Sequence, residues 1–549
     1  MTTEGNVNEA PQAIVATPAS PPANPLEPVG AVDVSAPAEP VGETDLATQA
    51  LPDPVITPVV TESPVTESPP EDGEVPDAAP ERPRRRSATL TAIRTMPEGL
   101  APHWRRLLVA TVVAQVLMVI VVSLVAAFEF HVWSPIDEEA HYSYIQQVAE
   151  HGSLPVLGRT PTSQQGLAIS QGIYPLPNRI PLHTLKLSEY SYEAFQPPLY
   201  YFAAVPAFDS TSNYLYKVYA VRLFGVALFL ASLVLTARLA RVVLGDRWLI
   251  GWSIVLLFFS LPGVVIRMVT ISPEPLSLLL GVLFTTELWI AWQRHSPRRL
   301  LVAAVLAGLC ALTEFELVAL FPVLALVAVA ELTQRIRANR QPRAKDQPRR
   351  SPQTIALVML SLVVPVVVIA PWLAYNEATY HLLNAGSIAI KEQTYLVNPH
   401  HTHFPIRYLP DDTAVLINPV LPAEWVNAFG ANPSLQYLGS LLAIMVGPAG
   451  LFVILGMGRR LWSIRWAVLG LPVLMMLAVL LGIRYVEQWG VQSRYAFAAV
   501  PGFLILVAEG CRDTFRKLYL PVIGTSVASA GVLVIWLFMF FSYRGPLPI

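Results

Sequence analysis

Apolar runs of about 20 residues recur through most of this chain, each long enough to cross a bilayer core as a helix. The clearest is 107–128, LLVATVVAQVLMVIVVSLVAAF, which carries no charge. Further spans are expected at 218–240, 248–269, 274–293, 299–313, 315–333, 354–375, 435–456, 463–483, 493–511 and 519–541. Only Thr313 and Glu314 separate two of them, which read either as separate spans or as one broken hairpin. With 53% apolar and 14% charged residues, the chain reads as an all-α polytopic membrane protein of about 11 transmembrane helices.

Charge placement tests that count independently. Loops that alternate along the spans are basic: Arg238, Arg241 and Arg247; Arg294, Arg298 and Arg299; a dense set within 335–350; Arg459, Arg460 and Arg465; Arg512, Arg516 and Lys517. The intervening loops are longer yet hold few cations, among them Arg159, Arg179, Lys186, Lys391 and Arg407. By the positive-inside rule the N-terminus lies in the cytoplasm and the C-terminus outside a plasma membrane. The net charge of −2 hides this unevenness, and no nucleic-acid partner is expected. Anionic lipid and topology account for the basic loops.

Residues 1–104 are expected to form a disordered acidic Pro/Ala-rich tail, with phrases such as VTESPVTESPPEDGEVPD and a closing basic patch at Arg82, Arg84, Arg85 and Arg86. Residues 105–549 form the membrane domain. Two outer loops, 129–217 and 377–434, exceed connector length and are expected to hold the function. Cys310 and Cys511 both fall on apolar runs, so no disulfide framework or thiolate metal site is expected.

The first outer loop opens with SPIDEEAHYSYIQQVAEHG at 134–152. Ser134 fits an N-cap, Pro135 the first helical position and Asp137 the third-position acid of a capping box. Glu138 and Glu139 suit the positive end of a helix dipole. Capping explains His141 less well; it shares a face with Asp137 and Glu138. An apolar stripe of Tyr144, Ile145 and Val148 suits a helix lying on the membrane surface. A carboxylate here also suits a general base facing a lipid-linked substrate.

Other polar residues are weighed the same way. FQPPLYYF at 195–202 reads as a helix start in the aromatic belt or as a re-entrant element lining a groove with Gln196, Tyr200 and Tyr201. Arg494 and Arg484 stand at the mouth of a span, either snorkelling or binding a phosphate. Arg267 and Glu274 flank one turn, TISPEPL, and are expected to pair with each other, while Glu287 takes no assignment. His400, His401 and His403 are three close histidines, but their spacing is not that of a rigid helical zinc pair, and a solvated loop is preferred.

The pattern P-x-D-E-x-x-H after the first span (Pro135, Asp137, Glu138, His141), followed by GSLP at 152–155, resembles the first outer loop of GT-C fold membrane glycosyltransferases. The resemblance is to a bacterial branch related to the protein mannosyltransferases. QPPLYY at 196–201, APWLAYN at 370–376 and QSRYAFAAVP at 492–501 match it in order, over about 105–501. The branch usually has QGRY where this chain has QSRY, and often a lysine where Glu314 stands.

The resemblance implies a GT-C-like fold and transfer of a hexosyl or pentosyl unit from a polyprenyl-phosphate donor to a glycan, lipid or protein acceptor on the outer face. Asp137 maps onto the acid that serves as base or binds the acceptor, with Glu138 second and His141 beside it, and Arg494 onto the donor phosphate, with Arg484 in support. A single phosphate leaves, so no cofactor is expected and a divalent metal is allowed but not required. The competing readings are a transporter or lipid flippase without enzyme activity, and a catalytically degenerate GT-C scaffold.

Overall fold

The structure is a computed structural model that describes residues 100–129, 138–163, 191–340, 352–386, 464–482, 493–514 and 519–543. All lie in one compact unit, Arg84–Ile549. The acidic tail, Asp137, Arg484, the three clustered histidines, the span at 435–456 and most of the second outer loop lie outside the described residues.

Every regular element described is helical. In chain order these are α1 Pro102–Glu129, α2 Glu138–His151, α3 Leu199–Phe208, α4 Tyr214–Leu244, α5 Trp248–Ser260, α6 Pro262–Val269 and α7 Glu274–Arg294. They continue as α8 Pro297–Ala311, α9 Phe321–Arg340, α10 Pro352–Tyr380, α11 Ile464–Gly482, α12 Val500–Thr514 and α13 Tyr519–Tyr543. Among the described residues, six helical stretches are long and apolar enough to cross a membrane. The exposed valines of α10 and α13, such as Val363, Val367, Val527 and Val534, form the face such a helix turns to lipid.

Prolines set where helices begin. Pro262 and Pro297 open α6 and α8 at positions where a missing N–H costs nothing. Pro262 also splits the expected span 248–269. Leu261 is extended at φ −64°, ψ 133°, since the residue before a proline is driven out of the helical region. The resulting α6 is buried along its whole length, so it packs inside the bundle and does not finish a crossing. Thr313 and Glu314 do turn the chain between two helices: α8 ends before them, and a 3-10 turn, Phe315–Leu320, leads into α9. The expected span at 493–511 likewise opens as a 3-10 turn, Ser493–Ala496, before α12.

α7 is the axis of the bundle. In its apolar window 78% of residues are buried, against 22% in α10 and in α13. It packs between α4 and α8, and α8 packs on α10. Two glycines permit close approaches between elements. A Cβ on Gly281 of α7 would stand 2.5 Å from the Ala498 carbonyl oxygen, and one on Gly308 of α8 would stand 2.6 Å from Val368 Cβ. Gly281 therefore lets the segment that carries Arg494 lie directly on α7.

Polar clips fasten the ends of the chain together. Gln115 Nε2 donates to the Ser253 carbonyl (3.0 Å) and to Ser529 Oγ (2.8 Å), while Thr111 and Ser526 hydroxyls pair at 2.7 Å. These tie α1 to α5 and α13. At the Arg294 end of α7, Glu287 accepts from Arg299 (2.6 Å) and Arg238 (3.3 Å). Nearby, Arg335 donates to Glu331 at 2.5 Å and to the His295 carbonyl at 2.6 Å, where His295 ends the helix at φ 50°. Glu287 thus serves packing at the end of the bundle opposite Glu274.

Gly281→Ala is expected to destabilise. An Ala for Gly in an open helix gains about 1 kcal/mol, but overpacking here costs about 1–3 kcal/mol. Thermal melts of the purified chain should show a lowered midpoint for Gly281→Ala. Gly524→Ala, where a Cβ meets nothing within 4 Å, should show none.

Candidate active site

The site grows from the first turn of α2. Glu138 and Arg222 of α4 form a bidentate ion pair, Nε to Oε1 at 2.7 Å and Nη2 to Oε2 at 2.6 Å, with both side chains fully buried. The Ile271 N–H also donates to Glu138 Oε1 at 3.0 Å, and Arg222 Nη1 donates to the Ala127 carbonyl at 3.2 Å. One carboxylate therefore joins α2 to α4 and to the turn before α7, and its partner reaches α1. With both oxygens engaged, Glu138 is a clamp.

His141 lies one turn along α2 and is 2% exposed. Its Nδ1 is 2.9 Å from the Tyr201 hydroxyl. Tyr144 stacks flat on Tyr201, with ring centroids 3.6 Å apart and planes at 5°, and its hydroxyl donates to the Gln196 carbonyl at 3.1 Å. Tyr144, Ile145 and Val148 are all buried, and α2 packs on α3. The stripe expected to lie on the membrane is instead covered by protein. Through these contacts of Tyr201 and Gln196, QPPLYY packs beside the first-loop helix, and Tyr200 meets Tyr201 edge-on at 5.5 Å.

Glu139 faces differently. Its Oε1 is buried with no hydrogen-bond partner among the described residues, and burial pushes its carboxyl up from 4.5 to about 7. The proton is held more tightly in the folded state than in the unfolded chain. Stability is therefore full below about pH 4.5 and falls as pH rises towards about 7.

A second charged assembly sits at the start of α7. Arg494 Nη1 lies 3.2 Å from Glu274 Oε1, with side chains 7% and 2% exposed. Arg494 Nη2 also donates to the Tyr495 hydroxyl at 3.3 Å. Arg267 and His141 stand within electrostatic reach of Glu274, and Glu314 and Glu316 lie near the same centre. Glu193 is buried too and lies near Tyr201 and Tyr495. The local partnership expected between Arg267 and Glu274 is present as electrostatic attraction, and a long-range ion pair with Arg494 joins it.

Of the sequence-predicted residues, the structure brings together Glu138, His141, Gln196, Tyr200, Tyr201 and Arg494. Asp137 adjoins Glu138 in the chain but, like Arg484, lies outside the described residues. Sequence reasoning gave no role to Glu193 or Ser277, and it marked Arg222 and Glu314 only as ionisable groups in or beside spans, functional candidates with no assigned role. The signal for Arg222 was present: an arginine in an apolar run needs an acid at the same depth, and Glu138 follows the preceding span. Among the described residues no group of three or more His, Cys, Asp or Glu is placed to hold a metal ion.

Two outcomes are expected from stability measurements. Arg222→Gln strands a buried carboxylate and should cost about 3–5 kcal/mol, while the pair Glu138→Gln with Arg222→Met should recover part of that loss. Glu139→Gln should flatten the decline in melting temperature between about pH 4.5 and 7 that the parent chain shows.

No protein-family model and no curated protein matches the chain. Solved structures do show likeness. The Archaeoglobus fulgidus oligosaccharyltransferase, in complex with Zn and sulfate, aligns with 77% of this chain and 52% of its own, at 14% identity and a TM-score of 0.37. The same organism's AglB, in complex with an inhibitory peptide and a dolichol-phosphate, aligns at 13% identity and a TM-score of 0.38, covering 78% and 54%. ArnT from Cupriavidus metallidurans, bound to undecaprenyl phosphate, aligns at 15% identity and 0.33, covering 76% and 79%. The chain thus spans about half the length of the oligosaccharyltransferase structures. These values describe a loose likeness of helix arrangement to membrane glycosyltransferases, and they assign no donor, acceptor or residue role.

Proposed function

We propose that this protein is a membrane glycosyltransferase that moves a hexosyl or pentosyl unit from a polyprenyl-phosphate donor to an extracytoplasmic acceptor. The observation that carries the reading is Arg494: a guanidinium held by Glu274 at the end of the bundle where the first-loop helix docks, with Arg267 beside it. An arginine so fixed is suited to a phosphate oxygen in bidentate geometry.

Asp137 takes the proton from the acceptor hydroxyl as that oxygen attacks the anomeric carbon. The bond from this carbon to the phosphate oxygen breaks with inversion, and the electron pair leaves on polyprenyl phosphate. Arg494, with Arg484 in support, meets the charge that grows on the leaving phosphate. Glu138 does not take a proton, because doing so would break its pair with Arg222; it fixes the start of α2, next to Asp137 in the chain. His141, fixed by Tyr201, lines the same centre.

Asp137→Asn in the producing cell should lower transfer by about 10²–10⁴-fold, the usual contribution of a general base. Compared with a deletion strain, it should show the same loss of envelope glycan and the same build-up of polyprenyl-phosphate sugar. Normal glycans from a stably expressed variant would sink the assignment of the base. Arg494→Gln should also lose transfer, by about 10²–10³-fold, without relief from raised pH.

A further inference from the structure

One part of the buried centre is untouched by the chemistry at the phosphate. The hydroxyls of Tyr200 and Ser277, Glu274 Oε2 and Glu314 Oε1 are buried and, among the described residues, have only loose contacts, Tyr200 with the Ser272 backbone and Ser277 with Glu314, in place of well-formed hydrogen bonds. Tyr200 is fully enclosed, and the other side chains belong to residues 2% exposed. In folded proteins buried polar atoms nearly always have partners, so such atoms gathered in one place mark a site that binds something polar.

They come from elements that meet. The Leu199 N–H donates to the Leu312 carbonyl at 3.1 Å, which seats the first turn of α3, with Tyr200, on the turn that carries Glu314. Ser277 follows Glu274 by three residues in α7 and shares its face. Glu314 lies beside Ser277 and within electrostatic reach of Glu274 and Arg494, and Tyr200 within reach of Glu274. The set therefore borders Arg494 directly.

Its chemistry is selective. Hydroxyls donate and accept, and carboxylate oxygens accept. Glu314 lies in the turn between two helices, where burial and the neighbouring Glu274 and Glu316 hold its carboxyl well above the usual range, so it donates as well. A ring carrying several hydroxyls answers such a set; an apolar group does not. We propose that Tyr200, Ser277, Glu274 and Glu314 form the subsite for the glycosyl ring of the donor, binding its hydroxyls while Arg494 binds the phosphate to which the ring is joined. This rests on the glycosyltransferase reading and goes further by naming where the sugar is read.

The test uses the full chain in lipid nanodiscs. Affinities are measured for bare undecaprenyl phosphate and for the same lipid phosphate carrying glucose, mannose or arabinofuranose. The parent chain should bind one sugar-bearing lipid about tenfold or more tightly than the bare one, as sites built to bond hydroxyls do. Ser277→Ala and Glu314→Leu should reduce that preference to about twofold or less and leave affinity for the bare lipid unchanged. Glu314→Gln, which still donates and accepts, should keep most of it. If Glu314→Leu does not fold, Ser277→Ala and Tyr200→Phe make the same measurement.

A preference for sugar that survives these substitutions overturns the subsite and leaves the glycosyltransferase reading standing. Absence of any preference in the parent chain overturns it as well. Failure of the parent chain to bind any of the lipid phosphates overturns both. Stabilisation by Mg²⁺ that depends on Glu314, with no discrimination among sugars, would make this a cation site and overturn the inference.

Discussion

The buried pair between Glu138 and Arg222 is the interaction on which the rest of the site depends. Neither side chain reaches solvent, so both have shed their hydration, and only close geometry and additional hydrogen bonds offset that cost. Those bonds are present, from the Ile271 N–H and to the Ala127 carbonyl. The pair thus fixes the end of α1, the start of α2, the third turn of α4 and the turn before α7 against one another. Break it, and His141 loses its bearing on Tyr201, while the turn leading to Glu274 loses its anchor. A hydrophobic pair of equal volume could be as stable, but it would not fix the angle at which α2 leaves the bundle.

The second constraint is the close contact at Gly281. Helices in lipid gain nothing from the hydrophobic effect when they meet, so close packing at small residues and polar contacts must hold them. Gly281 lets the backbone at Ala498 rest on α7, and Arg494, four residues earlier, is thereby brought to Glu274. The charge pair and the glycine contact act on one short segment from two sides. The ion pairs of Glu287 and Glu331 at the other end of the bundle serve packing and leave the Glu274 end as the place where polar groups face one another across several elements.

Apolar runs and alternating basic loops made the helical architecture legible, because run length and charge placement are properties of single segments. Within the described residues, helices stand at the expected positions, and the departures have local causes. Pro262 breaks one expected span, and the 3-10 turns at Phe315–Leu320 and Ser493–Ala496 shorten two others. The pairing within the site was much less legible. Glu274 has an arginine seven residues before it in the chain, and local reasoning joined the two; its short contact is with Arg494, far along the sequence. Arg222 and Glu138 are 84 residues apart, and only depth in the membrane links them in the sequence. Periodicity shows which face of a helix is buried, but not which helix it meets.

Charge balance sharpens the reading of the donor. Among the described residues, Glu274 and Glu316 stand around Arg494, with Glu193 nearby and Glu314 protonated, against the guanidiniums of Arg494 and Arg267. Such a centre tolerates little added negative charge. A sugar linked through one phosphate brings a single charge to the ground state, and a second develops only as the bond to the sugar breaks. On the proposed reading, Arg494 then gains its strongest interaction at the moment the leaving group needs it, which is the condition for catalysis as opposed to tight binding. A diphosphate-linked donor would bring more charge from the outset, into a centre whose carboxylates already oppose it. On the proposed reading, the acids that surround Arg494 are therefore part of how the site chooses a monophosphate carrier.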